Sequence, residues 1–183
     1  MGPGAAAAYQ TALEQLRGFG PDAVNALVAG YRAAHPDDYS TRKLMAEILA
    51  ELEGPAALPA LTEIARTPVP KPQRVPDETL NPFVEESIIR MVAIRGIGVF
   101  AAKDQKAQET LLALLASDAA PVREEAARAL WSASAVMTDE ARRSAIRERI
   151  PPQLRVDPER RLGPVSPSNA NRSLLPRSAK AGS

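Results

Sequence analysis

The sequence predicts an all-α chain of stacked helix pairs, and three observations carry that prediction. Alanine and leucine dominate an apolar fraction of 45%, while aromatics make up only 4%. That favours helices packing through small contacts over a β-sandwich, which wants Val, Ile, Thr and Tyr. Segment after segment places apolar residues at helical spacing, with Gly-Pro punctuation between them. The unit Asp118-Ala-Ala-Pro-Val-Arg-Glu-Glu-Ala-Ala-Arg-Ala-Leu130 has an echo at Asp37 to Leu49. Recurrence of one helical unit is the signature of a solenoid. The 183 residues are enough for one domain with a real core.

The elements follow in order. Residues 5–19 carry Tyr9, Leu13 and Leu16 on one stripe, and residues 21–34 carry Val24, Leu27, Val28 and Tyr31. Residues 40–53 carry Leu44, Met45, Ile48, Leu49 and Leu52; residues 55–66 carry Leu58, Leu61, Ile64 and Ala65. These are one-sided stripes of amphipathic helices. Gly20-Pro21 and Gly54-Pro55 separate them, with glycine suited to a left-handed helix end and proline to the next first turn.

Residues 67–82 hold Pro68, Pro70, Pro72, Pro76 and Pro82, which excludes a regular helix and predicts a long loop. Residues 83–102 are apolar on more than one face, so this helix belongs at the centre with neighbours on both sides. Helices over 105–117 and 121–136 follow, and Thr138 is placed to cap a last one ending near Arg149. Pro151-Pro152 stops it. Residues 151–183 are polar, rich in Pro, Ser, Asn and Arg, and expected to be a disordered basic tail, with Leu154 to Leu162 packing on the body. The domain is thus expected over residues 5–150.

Charge is uneven. Residues 1–150 carry 17 Lys and Arg against 20 Asp and Glu, whereas residues 151–183 carry 6 against 2. A mildly acidic body argues against general nucleic-acid binding, which needs a basic footprint. No run approaches the roughly 18–20 apolar residues of a membrane span, and no basic-then-apolar secretory signal is present. The expectation is a soluble protein, cytoplasmic or exported with a signal removed. The absence of cysteine excludes disulfides and thiolate chemistry and leaves the compartment open.

Superimposing Arg42 on Arg123 brings Asp37 onto Asp118, Ala46 onto Ala127 and Leu49 onto Leu130, an offset of 81 residues (42 to 123). A middle unit, residues 55–102, fits between if the Pro-rich segment is its insertion, with Glu85 where the arginine would fall. On Asp118, Val122, Arg123, Ala126, Ala127 and Leu130, the chain resembles the HEAT-repeat family of armadillo-like α-α superhelices. The weaker copy at Asp37, Arg42, Ala46 and Leu49 agrees. The aspartate-to-arginine spacing is one residue shorter than the family's usual form. The resemblance implies a short right-handed α-α superhelix of about three helix pairs (21–53, 55–102, 105–136) plus terminal helices. It assigns Asp37, Arg42, Asp118 and Arg123 to tying successive repeats together. It also implies a concave groove lined by second helices, where Glu85, Glu86, Arg90, Glu124, Arg128 and Trp131 become the candidate partner-binding residues.

Catalytic and metal-binding constellations are thin, and no catalytic, metal or cofactor site is assigned. The single histidine, His35, falls at a helix C-terminus, where the dipole favours it. Asp37-Asp38 beside it lacks a third ligand. Gly96-Ile97-Gly98 has no preceding strand and lacks the rest of a dinucleotide fingerprint, so it reads as close helix packing or a helix break. Glu86/Arg90 and Glu124/Arg128 have the favourable i, i+4 order of a solvated helix face. Trp131 reads as packing against the last helix or as an interface anchor. Arg142, Arg143, Arg147 and Arg149, with Arg155, Arg160 and Arg161, suit a helix C-terminus or a basic patch.

The functional expectation is a non-enzymatic scaffold or adaptor that binds a protein partner through its concave helix face. The competing readings are a nucleic-acid-binding helical-repeat protein and an accessory lyase- or chaperone-like repeat protein.

Overall fold

The computed structural model describes residues 3–74, 76 and 80–155. Those residues form eight α-helices and one short 3-10 turn, without a strand. The helices are α1 (Pro3–Phe19), α2 (Pro21–Ala33), α3 (Tyr39–Glu51), α4 (Ala57–Arg66), α5 (Pro82–Ala101), α6 (Gln105–Leu114), α7 (Ala120–Ala135) and α8 (Glu140–Arg149). Each expected helix is present, with ends shifted by a few residues. Residues 156–183, most of the expected basic tail, lie outside the described residues. Before them, Pro152–Leu154 makes the 3-10 turn and Leu154 packs on the core.

Local chemistry explains the boundaries. Gly20 takes a positive φ of 57°, and Pro21 opens α2 in the first helical position. At the second Gly-Pro pair the left-handed residue is Glu53, with φ 51°, and not Gly54. There Ala57 N–H donates to the Gly54 carbonyl at 2.9 Å, a turn that delays α4 to Ala57. Asp38, Asp104 and Asp139 cap α3, α6 and α8 by accepting from the amides of Thr41, Ala107 and Arg142. Asp139 therefore caps the last helix in place of the expected Thr138.

The helices pack in two rows. α5 lies between α3 and α7 and touches both along much of its length. α2, α4 and α6 make the second row, with α4 in contact with each of the other two. The core sits between the rows. α5 buries Ile89, Val92, Ala93, Ile94, Gly96, Ile97 and Ala101, which accounts for its lack of a single polar face.

Gly96 and Gly98 are the close-packing pair expected from the sequence. A methyl group on Gly96 would stand 2.8 Å from the Ala50 Cβ and 2.9 Å from the Leu61 Cδ1. On Gly98 it would stand 3.1 Å from the Ala129 Cβ. One glycine thus admits α3 and α4 to α5, and the other admits α7.

The arginine-centred spacing read in the sequence recurs in burial. Four residues after Arg42, Arg90 and Arg123 stand Ala46, Ile94 and Ala127; seven after stand Leu49, Ile97 and Leu130. All six are wholly buried. Truncating any of the four large ones, Leu49, Ile94, Ile97 or Leu130, to alanine costs about 2–5 kcal/mol. The middle arginine is therefore Arg90, not the position of Glu85. The expected alignment slipped by five residues because α5, at 20 residues, starts further ahead of its arginine than the 13-residue α3 or the 16-residue α7.

Candidate interaction surface

The three arginines share a task. Arg42 Nη1 donates to the Pro36 carbonyl at 2.7 Å, and Arg123 Nη1 donates to the Ser117 carbonyl at 2.6 Å and to that of Asp118 at 2.9 Å. Arg90 Nε donates to the Thr67 carbonyl at 2.9 Å, reaching back across the whole Pro-rich insertion. Each ties the second helix of a pair to the chain leaving the first. Of the expected inter-repeat ties, only Arg42 reaches the next pair, through Glu86 on α5 at 2.5 Å. Asp37 and Asp118 are exposed, and neither carboxylate forms an ion pair with an arginine among the described residues. Asp37 lies 3.8 Å from His35 Nδ1, which accepts the Asp37 amide in the turn after α2.

Two expected groove residues are structural instead. Arg90 is only 1% exposed, and its Nη2 meets the Glu86 carboxylate at 2.6 Å. Glu86 thus pairs with two arginines inside the protein and is itself buried. Arg42 is held above its ordinary pKa: burial opposes this, but hydrogen bonds to Glu86 and Tyr31 outweigh it. Its guanidinium also lies 5.3 Å from the Tyr31 ring centroid. A pair in i, i+4 order reads equally well as a solvated face or a buried one, and here it is buried.

Glu85 is half-buried and Glu124 exposed. The expected Glu124–Arg128 pair does not form; Arg128 binds Glu125 one residue further on. Trp131 is half-buried under α8, with the Arg147 guanidinium 4.7 Å from its ring centroid. Further polar contacts involve three arginines of α8. Arg142 Nε donates to Gln108 Oε1, Arg147 Nε to Ser134 Oγ, and Arg143 pairs with Glu140. Docking of α8 thus uses Arg142 and Arg147 of the seven cations expected to form a basic patch, whereas Arg143 pairs within α8, and Arg160 and Arg161 lie outside the described residues.

The surface of the α3–α5–α7 row lies elsewhere on α5. Val84, Ile88, Met91, Arg95 and Val99 recur at helical spacing and are exposed or half-buried. On α7 the matching exposed positions are Glu124, Arg128 and Ser132, continued by Val136 just past its end. Val84, Val99 and Val136 are large exposed apolar residues. Between α5 and α7 lies an open cleft of about 460 Å³ with a floor that includes Gly98, Ala102, Ala129 and Ala133.

At one end stands a three-residue ion cluster. The Glu125 side chain is only 3% exposed, yet it accepts from Arg95 Nε at 2.8 Å and from Arg128 Nη1. The Arg95 and Arg128 side chains are 60% and 52% exposed. Arg95 and Glu125 were missed in the sequence. The signal was present: Arg95 precedes Arg128 by the same 33 residues (95 to 128) that separate Arg90 from Arg123.

Among the described residues no three His, Asp or Glu side chains come together as a metal cluster. No described helix is long and apolar enough to cross a membrane. Comparison with family models, curated proteins and solved structures returns no match to this chain.

Proposed function

We propose that this chain is a non-enzymatic HEAT-like adaptor, a short α-α superhelix that binds a protein partner across the α3–α5–α7 row. The observation that carries the reading is the apolar stripe on α5, which opens into the α5–α7 cleft. Val84, Val99 and Val136 are exposed there without a covering element among the described residues. Grouped exposed apolar side chains rimmed by charge are typical of interaction sites. The recurring arginine and burial register supports the repeat architecture that would present such a face.

Site-specific photo-crosslinking in the native host tests this. A photoactivatable phenylalanine replaces Val99, Val136 or, as a control on α2, Ala26. The expected result is one and the same protein crosslinked from Val99 and Val136 and not from Ala26. Equal capture from Ala26, or recovery of nucleic acid alone, overturns the reading.

A further inference from the structure

We infer that the α5–α7 cleft takes an acidic amphipathic segment of a partner protein, with a large aliphatic side chain in the cleft and a carboxylate on Arg95 and Arg128. The inference rests on the protein-docking reading above and specifies the chemistry of its occupant.

Size selects the first feature. Beside the buried Glu125, the floor is made of Gly98, Ala102, Ala129 and Ala133, while the exposed Val99 and Val136 stand at the rim. A volume of about 460 Å³ walled this way has room for side chains the protein does not itself supply. Leucine, isoleucine or phenylalanine from a partner helix would bury the exposed valines along with itself. Helix-in-groove recognition commonly uses such anchors.

Charge selects the second feature. Two arginines share one carboxylate, so the cluster carries a net positive charge. The negative partner is buried while both arginine side chains are more than half exposed. Arg95 uses Nε and Arg128 uses Nη1 for Glu125, which leaves the remaining donors of each planar fork available among the described residues. A guanidinium with unused donors matches a carboxylate in geometry as well as sign. Glu124 is exposed one turn before Arg128 and would repel an acid placed toward the start of α7. That restricts the favourable position to the mouth of the cleft.

Spacing relates the two features. Arg95 precedes Val99 by one turn and Arg128 precedes Val136 by two, about 6 and 12 Å along the helix axes. The occupant therefore places its acid one to two turns from its apolar anchor.

The test uses the full chain and labelled synthetic helical peptides. The probe peptide has a leucine face flanked by Glu on both sides; one companion carries Lys for Glu and another Ser for Leu. Fluorescence anisotropy is expected to show binding of the Glu–Leu peptide, with both companions at least tenfold weaker. In a Glu125→Gln background, which avoids leaving an unpaired buried carboxylate, Arg95→Glu combined with Arg128→Glu should reverse the preference toward the Lys peptide while the circular dichroism spectrum stays that of the parent. Equal binding of the Lys peptide overturns the inference, and so does no binding of the Glu–Leu peptide or an unreversed preference in the double variant. If Val99 still crosslinks a partner in cells after such a result, protein docking stands and only the acidic occupant is wrong. If Val99 crosslinks only a second copy of this chain, the cleft is a self-association surface and the inference fails.

Discussion

Arg42 and Arg123 stand 81 residues apart (42 to 123) and make the same bond. Each sends Nη1 to the carbonyl six residues behind it, Pro36 for one and Ser117 for the other. Each lies three residues into its helix, since α3 starts at Tyr39 and α7 at Ala120. An arginine reaching back this way fixes the angle between the two helices of a pair, because it joins the start of the second to the chain leaving the first. Arg90 does so from further along a longer helix, with Thr67 as acceptor.

Arg123→Met separates this role from charge pairing, because Arg123 makes no ion pair among the described residues. The variant keeps most of the apolar stem and loses the donors to Ser117 and Asp118. A loss of about 1–3 kcal/mol is expected from hydrogen bonds made by a charged donor. Urea unfolding measures it. A loss below 0.5 kcal/mol, roughly the scale of neutral surface changes, would show that the loop holds its shape without the arginine.

Glu86→Gln should cost more than Arg90→Met. The first leaves Arg42 and Arg90 facing each other without a counter-charge, in a site where breaking a buried pair typically costs about 3–5 kcal/mol. The second leaves a one-to-one Arg42–Glu86 pair and also removes Arg90 Nη1, a buried donor without a hydrogen-bond partner in the described structure. The Thr67 carbonyl loses its donor, so some cost remains. Chemical denaturation of both variants fixes the order, and the reverse order would mean that Arg90 acts mainly through the Thr67 carbonyl.

How much of this was legible in the sequence depended on which signal each residue gave. Helix positions followed from apolar spacing and from Gly-Pro and cap chemistry, so α1 to α8 were readable. The equivalence of Arg42 and Arg123 was readable because their units have the same length up to the arginine. Arg90 was not, because the Pro-rich insertion lengthens the start of α5 and hides the register. The candidate surface inherited that slip: Glu86 and Arg90 were assigned to a groove, while the exposed arginine of α5 is Arg95. Burial separates the two roles and sequence spacing does not, since a Glu–Arg pair one turn apart has the same pattern on either face.

Gly96→Ala is expected to destabilise by about 1–3 kcal/mol, the usual cost of overpacking. The added methyl would meet Ala50 at 3.0 Å from its Cα, and backbone cannot move aside as a flexible side chain can. Gly98→Ala meets only the Ala129 Cβ at 3.1 Å, with the Ala129 Cα at 3.7 Å, and should cost less than Gly96→Ala. Thermal unfolding of the two variants tests the ranking. Equal losses would place the α5–α7 contact under the same steric limit as the α3–α5 contact.

Asp38 gives α3 an acid-sensitive cap. Hydrogen bonds from Thr41 hold its carboxyl below the ordinary value of 3.8. The folded state therefore binds this proton more weakly than the unfolded state does. Its stabilising contribution is present above pH 3.8 and is lost as pH falls through the lower folded value. Asp38→Asn retains an acceptor at the cap and removes the titration. The Tm difference between parent and variant should be constant above about pH 5 and shrink on further acidification. A difference that grows toward low pH would reverse the sign assigned to this carboxyl.

Trp131 is the only tryptophan in the chain, so its fluorescence reports one contact. Arg147 crosses from α8 to lie over its ring, and Arg147 Nε also donates to Ser134 Oγ at 2.9 Å on α7. Both contacts hold α8 to α7, with Ile146 and Ile150 buried beneath. Arg147→Met keeps a stem over the ring and removes the charge, which is worth about 0.5–1 kcal/mol at a site that is not fully desolvated. Arg147→Ala removes both contacts, so water should reach the indole and its emission should shift to the red. That shift is expected without loss of overall helicity, because the packing of α5 with α3, α4 and α7 does not pass through Arg147. An unchanged emission maximum would mean that Ile146 and Ile150 alone keep α8 seated. A red shift accompanied by global unfolding would mean that α8 is part of the cooperative core.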